Sequence, residues 1–182
     1  MYVQGISTRR VAAIIEKLIG TEVTSVQVSR AVAELDSQLQ AWRKRPLGRY
    51  KYLWLDARYE KVRVDGMVRD VAVLMAAGLN LDGKREVLGI SNSLSEAEIH
   101  WRSFLESLTQ RGLSGVELIT SDDHAGLEKA RKAVFGGVPW QRCQFHLQQN
   151  AQAFVPRRAL KSEVAAGIRA VSKLATGRMP RS

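Results

Sequence analysis

Three runs with the alternation of extended chain follow one another from Tyr52: "YLWLDARYEKVRVDG", "MVRDVAVLMAAGLNLDG" and "REVLGISNS", with VDG and LDG as turn signals between them. Turns that short join antiparallel neighbours, so the three runs make a meander. Beyond them the period changes. "SEAEIHWRSFLESLTQRG" reads as a capped helix with Ile99, Leu105 and Leu108 as buried positions and Gly112 as its stop. The strand "VELIT" follows, then the helix "HAGLEKARKAVFG", a short strand around "WQRCQF", and a helix from Leu147 onward. The order is βββαβαβα. An α/β chain of that order builds the mixed sheet of a ribonuclease H-like domain, here incomplete, in which the first and fourth strands are neighbours.

The fourth strand is where the sequence turns from structure to chemistry. "VELIT" is apolar on both faces, as a central strand covered by helices must be, yet it runs straight into Ser121, Asp122, Asp123 and His124. Two readings are open. Asp122 and Asp123 cap the next helix, whose N-terminus favours acids; or the tip of the strand opens at a crevice where polar groups react. The first strand carries a matching anomaly, Asp56, directly after the apolar and aromatic run Tyr52 to Leu55. A carboxylate there needs a partner. If the two strands are adjacent, Asp56 and Asp122 meet across 66 residues, and close carboxylates repel unless a cation lies between them. Oxygen ligands suit Mg²⁺ or Mn²⁺, and two such ions about 3.5–4 Å apart can serve phosphoryl transfer at a phosphodiester. The plainer alternative is a capping Asp122 and a salt-bridged Asp56.

Upstream of the sheet the pattern is helical. "STRRVAAIIEKLI" opens on Ser7 as a cap and places Val11, Ile14, Ile15, Leu18 and Ile19 at helical spacing before Gly20. After "GTEVT", Ser25 can cap a second helix in which Val28, Val32, Leu35, Leu39 and Trp42 recur. Two short helices around a tight turn fit a small helix-turn-helix domain, and an ordinary helical hairpin fits equally well. In the first case the N-terminal residues of the second helix, Ser25, Gln27, Ser29 and Arg30, reach base edges in the major groove. "WRKRPLGRY" then breaks the helix at Pro46 and Gly48, and its Arg43, Lys44 and Arg45 are candidate phosphate contacts. The domains so read are a helix-turn-helix region over 1–45, a basic linker over 46–51, a ribonuclease H-like core over 52–150 and a basic helical tail over 151–182.

Charge supports a polyanionic partner. The net charge of +10 divides as +4 over residues 1–50, zero over 51–150 and +6 over 151–182, so the basic excess flanks the block that holds most of the acids. Solvated lysines and arginines are the bland explanation. Cys143 is the single cysteine, which rules out a disulfide within the chain. No apolar run approaches the roughly 20 residues of a membrane helix, and Met1 leads into polar residues, so the chain reads as cytoplasmic, with no membrane partner.

Six blocks carry a more specific resemblance: "MYVQGISTRRV", "YLWLDARYEKVRVDG", "GLNLDGKREVLGI", "SEAEIHWRSFLESLTQRGL", "LITSDDHAGL" and "WQRCQFHLQQN". In sequence and order, from residue 1 to about 158, they resemble the central portion of Mutator-type bacterial insertion-sequence transposases. The resemblance implies a DDE triad on a ribonuclease H-like core that uses Mg²⁺ or Mn²⁺, two ions in the complete site, to cut transposon ends and join them to target DNA. It implies double-stranded DNA as partner, both terminal repeats and target, and a homo-oligomer on that DNA in a bacterial cytoplasm. By motif, Asp56 is the first acid and Asp122 the second, with Asp123 at a variable position ahead of Gly126-Leu127. Cys143 and His146 match the family's CxxH, at most half of a tetrahedral zinc site.

The third acid, a Glu on a later helix, has no match. Glu163 is the one acid after Arg158, and it lies too close to the fifth strand. The expectation is therefore a transposase truncated at both ends and inactive alone, or a non-catalytic DNA-binding fragment that regulates or inhibits the full-length enzyme. A structure-specific nuclease of the same fold is the third possibility.

Overall fold

The computed structural model describes residues 8–20, 22–64, 66–156 and 160–175; the cap expected at Ser7 lies outside them. The elements are α1 (Thr8–Ile19), α2 (Ser25–Lys44), β1 (Tyr50–Val64), β2 (Met67–Asn80), β3 (Arg85–Ser93), α3 (Glu98–Gln110), β4 (Leu118–Ser121), α4 (Ala125–Val134), β5 (Trp140–Arg142), α5 (Gln144–Ala153) and α6 (Lys161–Ala175). None of the described helices is long and apolar enough to cross a membrane.

The strands form one sheet in the order β3-β2-β1-β4-β5. β1 to β3 are the expected antiparallel meander, while β4 runs parallel to β1 and β5 parallel to β4. The first and fourth strands are therefore adjacent, and the chain has the mixed ribonuclease H-like sheet expected from its element order.

Alternation sorts the side chains of β1 onto two faces. Leu53 and Leu55 pair with Gly78 and Ala76 and join Leu74, Leu88 and Ile119 in a core closed by α3 and α4. Trp101, Phe104, Leu105 and Leu108 of α3, with Leu127 and Ala130 of α4, complete it. Each fully buried Leu of this kind contributes on the order of 1.5–3 kcal/mol. Gly126 sets how closely the helices approach: a Cβ there would lie 2.3 Å from the Glu96 carbonyl oxygen, so only glycine lets the first turn of α4 sit against the entry to α3.

Several local expectations are corrected. Ile99 is 71% exposed, because the buried stripe of α3 runs through Trp101, Leu105 and Leu108, and a residue two places ahead of Trp101 lies about 200° around the helix. The N-cap of α3 is Ala97, which makes no side-chain cap bond; the Ser95 hydroxyl accepts from the Ala97 N–H at 3.4 Å instead. Gly112 does follow α3, with φ of +91°. α2 is capped by Thr24 rather than Ser25: Thr24 Oγ1 accepts from the Gln27 N–H at 3.2 Å, and Gln27 Oε1 accepts from the Thr24 N–H at 2.8 Å. α5 begins at Gln144, three residues before Leu147.

Among the described residues the helical pair has a small core, Val11, Val28 and Val32 backed by Ala12, Ile15 and Val23. Leu35 and Leu39, which share the apolar stripe of α2, are exposed, as are Ile14 and Leu18 of α1. The segment after α2, read as a basic linker, is tied to the sheet domain by backbone hydrogen bonds. The Leu47 N–H donates to the Arg111 carbonyl at 2.7 Å, the Ser114 N–H donates to the Gly48 carbonyl at 3.1 Å, and β1 already begins at Tyr50.

Candidate active site

Asp56 follows buried Leu55 on β1 and so points to the other face of the sheet, where its side chain is about half exposed. Leu55 is level with Ser121, the last residue of β4. Asp56 and Asp122 are the next residues on two parallel neighbours whose backbones run about 4.8 Å apart; Asp56 stays within β1, level with Met75, while Asp122 is the first residue beyond β4. Their local geometry is the same. Asp56 Oδ1 accepts from the Ala57 N–H at 3.0 Å, and Asp122 Oδ1 accepts from the Asp123 N–H at 2.7 Å, leaving the second oxygen of each carboxylate uncommitted.

Neither Asp122 nor Asp123 caps α4. The N-cap is His124, which makes no side-chain cap bond; its Nδ1 lies 4.0 Å from Glu96 Oε2. Asp123 is ion-paired to Arg142 of β5 at 3.2 Å, whereas Asp122 has no ion pair among the described residues. The strand tip is held by Ser121, a signal the sequence reading passed over. Its buried hydroxyl accepts from Trp140 Nε1 at 2.9 Å and donates to the Asp122 carbonyl at 2.8 Å. The Cys143 N–H adds a bond to the Ser121 carbonyl at 2.7 Å.

A cleft of about 410 Å³ opens beside Asp56, lined among others by Trp54, Met75, Thr120, Cys143, Phe145 and His146. His146 Nε2 lies 3.8 Å from Asp56 Oδ1, too far for a hydrogen bond, and its Nδ1 is buried without a partner. The CxxH residues thus line the same cleft as the first acid. Among the described residues no three His, Cys, Asp or Glu gather to hold a metal ion, and Glu163 is exposed on α6. Asp56 in mid-β1 and Asp122 just beyond β4 each keep a free carboxylate oxygen, the ligand type that fits a hard divalent cation.

The DNA-contact candidates divide into committed and exposed groups. Gln27 spends its side-chain oxygen in the α2 capping box, Ser25 is partly buried in the first turn, and Ser29 and Arg30 are exposed. Arg43 and Lys44 are exposed, but Arg45 stacks on Trp42 at 4.8 Å and donates to the Trp42 and Val87 carbonyls at 3.2 and 2.7 Å.

The chain matches the family model described as Transposase, Mutator family, over residues 1–175. The transposase for insertion sequence element IS406 of Burkholderia multivorans is 60% identical over 173 residues, 94% of this chain and 45% of that protein. The transposase for insertion sequence element ISRM5 of Rhizobium meliloti is 46% identical over 159 residues, 87% of this chain and 40% of that protein. Among solved structures, the HTLV-2 integrase catalytic core domain in complex with magnesium aligns over 68% of this chain and 85% of its own, at 11% identity and a TM-score of 0.36. The chain spans about half the length of the curated relatives it matches or less. It belongs to the Mutator family of transposases.

Proposed function

We propose, from the premise of that family membership, that these residues supply the DNA-binding helices and two of the three acids of a DDE-type insertion-sequence transposase. The observation that carries the reading is the place of Asp56 and Asp122 one residue past the Leu55–Ser121 pair of two adjacent parallel strands, each with one carboxylate oxygen uncommitted. Asp56 and Asp122 are the residues that would hold Mg²⁺ or Mn²⁺. Bound there, the ion supplies positive charge to polarise a phosphodiester and to activate a water or a 3′-hydroxyl.

The other residues position these two. Leu55 and Ile119, sealed in the core, fix the two strands, and Ser121 with Trp140 fixes the turn that carries Asp122. Arg142 holds Asp123 in an ion pair and so leaves Asp122 as the carboxylate that answers Asp56. Exposed Ser29 and Arg30 on α2 are the base-reading candidates of a helix-turn-helix, and Arg43 and Lys44 hold the phosphate backbone of terminal-repeat and target DNA.

With two acids, the 182 residues by themselves bind the cation weakly and do not transfer strands. The test is incubation of the pure chain with labelled element-end DNA, with and without Mg²⁺. Salt-sensitive binding without nicking is the expected result; metal-dependent nicking sinks the claim of inactivity. A second reading is a non-catalytic DNA-binding chain that inhibits the full enzyme in mixed oligomers. Asp56→Asn separates the two. It leaves inhibition intact under the second reading and abolishes complementation by a third-acid donor under the first.

A further inference from the structure

On the far edge of the sheet, where α2 ends against β3 and α3, lies a second cavity, of about 230 Å³, lined by Arg43, Ser91, Ser103, Ser107 and Arg111 together with apolar neighbours. Arg111 is held rigidly. Its Nε donates to the Arg45 carbonyl at 3.0 Å and its Nη1 to the Leu88 carbonyl at 2.8 Å, while Nη2 is buried with no partner. No carboxylate comes within 4.0 Å of Arg43, Arg45 or Arg111 among the described residues. Among those residues no acid offsets the positive charge of the three arginines gathered there, which leaves the cavity favourable to an anion. Burial, and then the Arg45 guanidinium beside it, hold the pKa of Arg111 below the ordinary arginine range, as expected where positive charges face one another without compensation.

We propose that this cavity seats one phosphodiester group of bound DNA, held by Arg111 and Arg43 and by the hydroxyls of Ser91 and Ser103. Those two hydroxyls have no protein partner among the described residues and are available to donate, whereas Ser107 gives its proton to the Phe104 carbonyl at 2.6 Å. The space exceeds several water volumes of about 30 Å³ each, enough for a phosphate. The seat lies on the α3 side of the β3 edge, where Ser91 pairs with buried Leu74 and a Cβ on Gly89 would meet Leu108 and Phe104, so it takes a backbone phosphate that runs along that edge rather than over the face that carries Asp56. The seat deepens the DNA reading and rests on it for the source of the phosphate.

Arg111→Ala also removes two backbone hydrogen bonds, so Ser103→Asp is the cleaner variant: Ser103 is exposed, and the new carboxylate fills the anion's place. Two arms are run on the full chain, each with a thermal melt. In the first, binding to duplex DNA is followed across a salt series. Ser103→Asp is expected to bind about tenfold more weakly with a salt slope smaller by about one, and to melt no lower than the parent. In the second, inorganic phosphate is titrated and the Ser91, Ser103 and Arg111 signals are followed by NMR; they shift in the parent and not in the variant. Unchanged DNA affinity and slope in Ser103→Asp, with no phosphate shift in the parent, overturns the seat and leaves the DNA reading standing. A phosphate shift lost in the variant, in a parent that binds no duplex, upholds an anion seat and overturns its assignment to DNA.

Discussion

The two faces of one sheet have opposite characters, and neighbouring residues of β1 belong to different ones. Leu55 is sealed under α3 and α4, while Asp56 stands half exposed on the other side, among Tyr52, Met75 and Val87, which also remain exposed. Strand alternation therefore separates stability from chemistry by a single residue. The closed face fixes where the strands lie, and the open face carries Asp56.

That contrast can be broken by exchanging the two kinds of loss. Leu55→Ala is expected to cost about 2–5 kcal/mol in a denaturant titration, whereas Asp56→Asn shifts stability by no more than about 0.5 kcal/mol. Equal costs would mean that Asp56 is structural. Gly126→Ala forces a Cβ to within 2.3 Å of the Glu96 carbonyl, and is expected to cost about 1–3 kcal/mol on the same measurement. Little or no loss would show that the α3 and α4 entry is looser than the contact implies.

A sharper comparison sets the two acids of the turn against each other. Asp122→Asn should weaken Mn²⁺ binding about tenfold or more in calorimetry, and Asp123→Asn should leave it within about twofold, since Asp123 faces Arg142. The reverse order would reassign the second acid.

The smallest effect belongs to Tyr50, at the edge of the closed face. Burial, then its hydrogen bond to Glu86 at 2.8 Å, raises its pKa above the ordinary 10.0. The unfolded chain loses this proton first, so the contribution is complete below pH 10 and is lost as pH rises through the folded pKa. Melting temperature should fall more steeply from pH 9 to 11 in the parent than in Tyr50→Phe; parallel curves would remove Tyr50 from the account.

The sheet order was legible because turn signals and element order leave few topologies. The adjacency of β1 and β4 followed from it, and with it the place of Asp56 and Asp122 one residue past the Leu55–Ser121 pair. Detail that depends on which way a helix faces was not legible. Ile99 fits an apolar count but falls on the wrong side of Trp101, and Leu35 and Leu39 continue a stripe that the small α1 and α2 core never reaches. Long-range polar partners were equally hidden: nothing near Ser121 announces Trp140, nothing near Asp123 announces Arg142, and Arg45 looks like a phosphate contact until Val87 is seen accepting its bond. The thiol of Cys143 and the ring of His146 came to the cleft by the path of β5 into α5, which local pattern placed three residues too late.

The most direct test is paramagnetic broadening by Mn²⁺ in the amide spectrum of the chain. Two acids forming one site predict that the Ala57 and Asp123 amides broaden first and together, and that Asp56→Asn or Asp122→Asn alone abolishes both effects. Broadening beside one acid that survives loss of the other, or that centres elsewhere, would contradict a shared site.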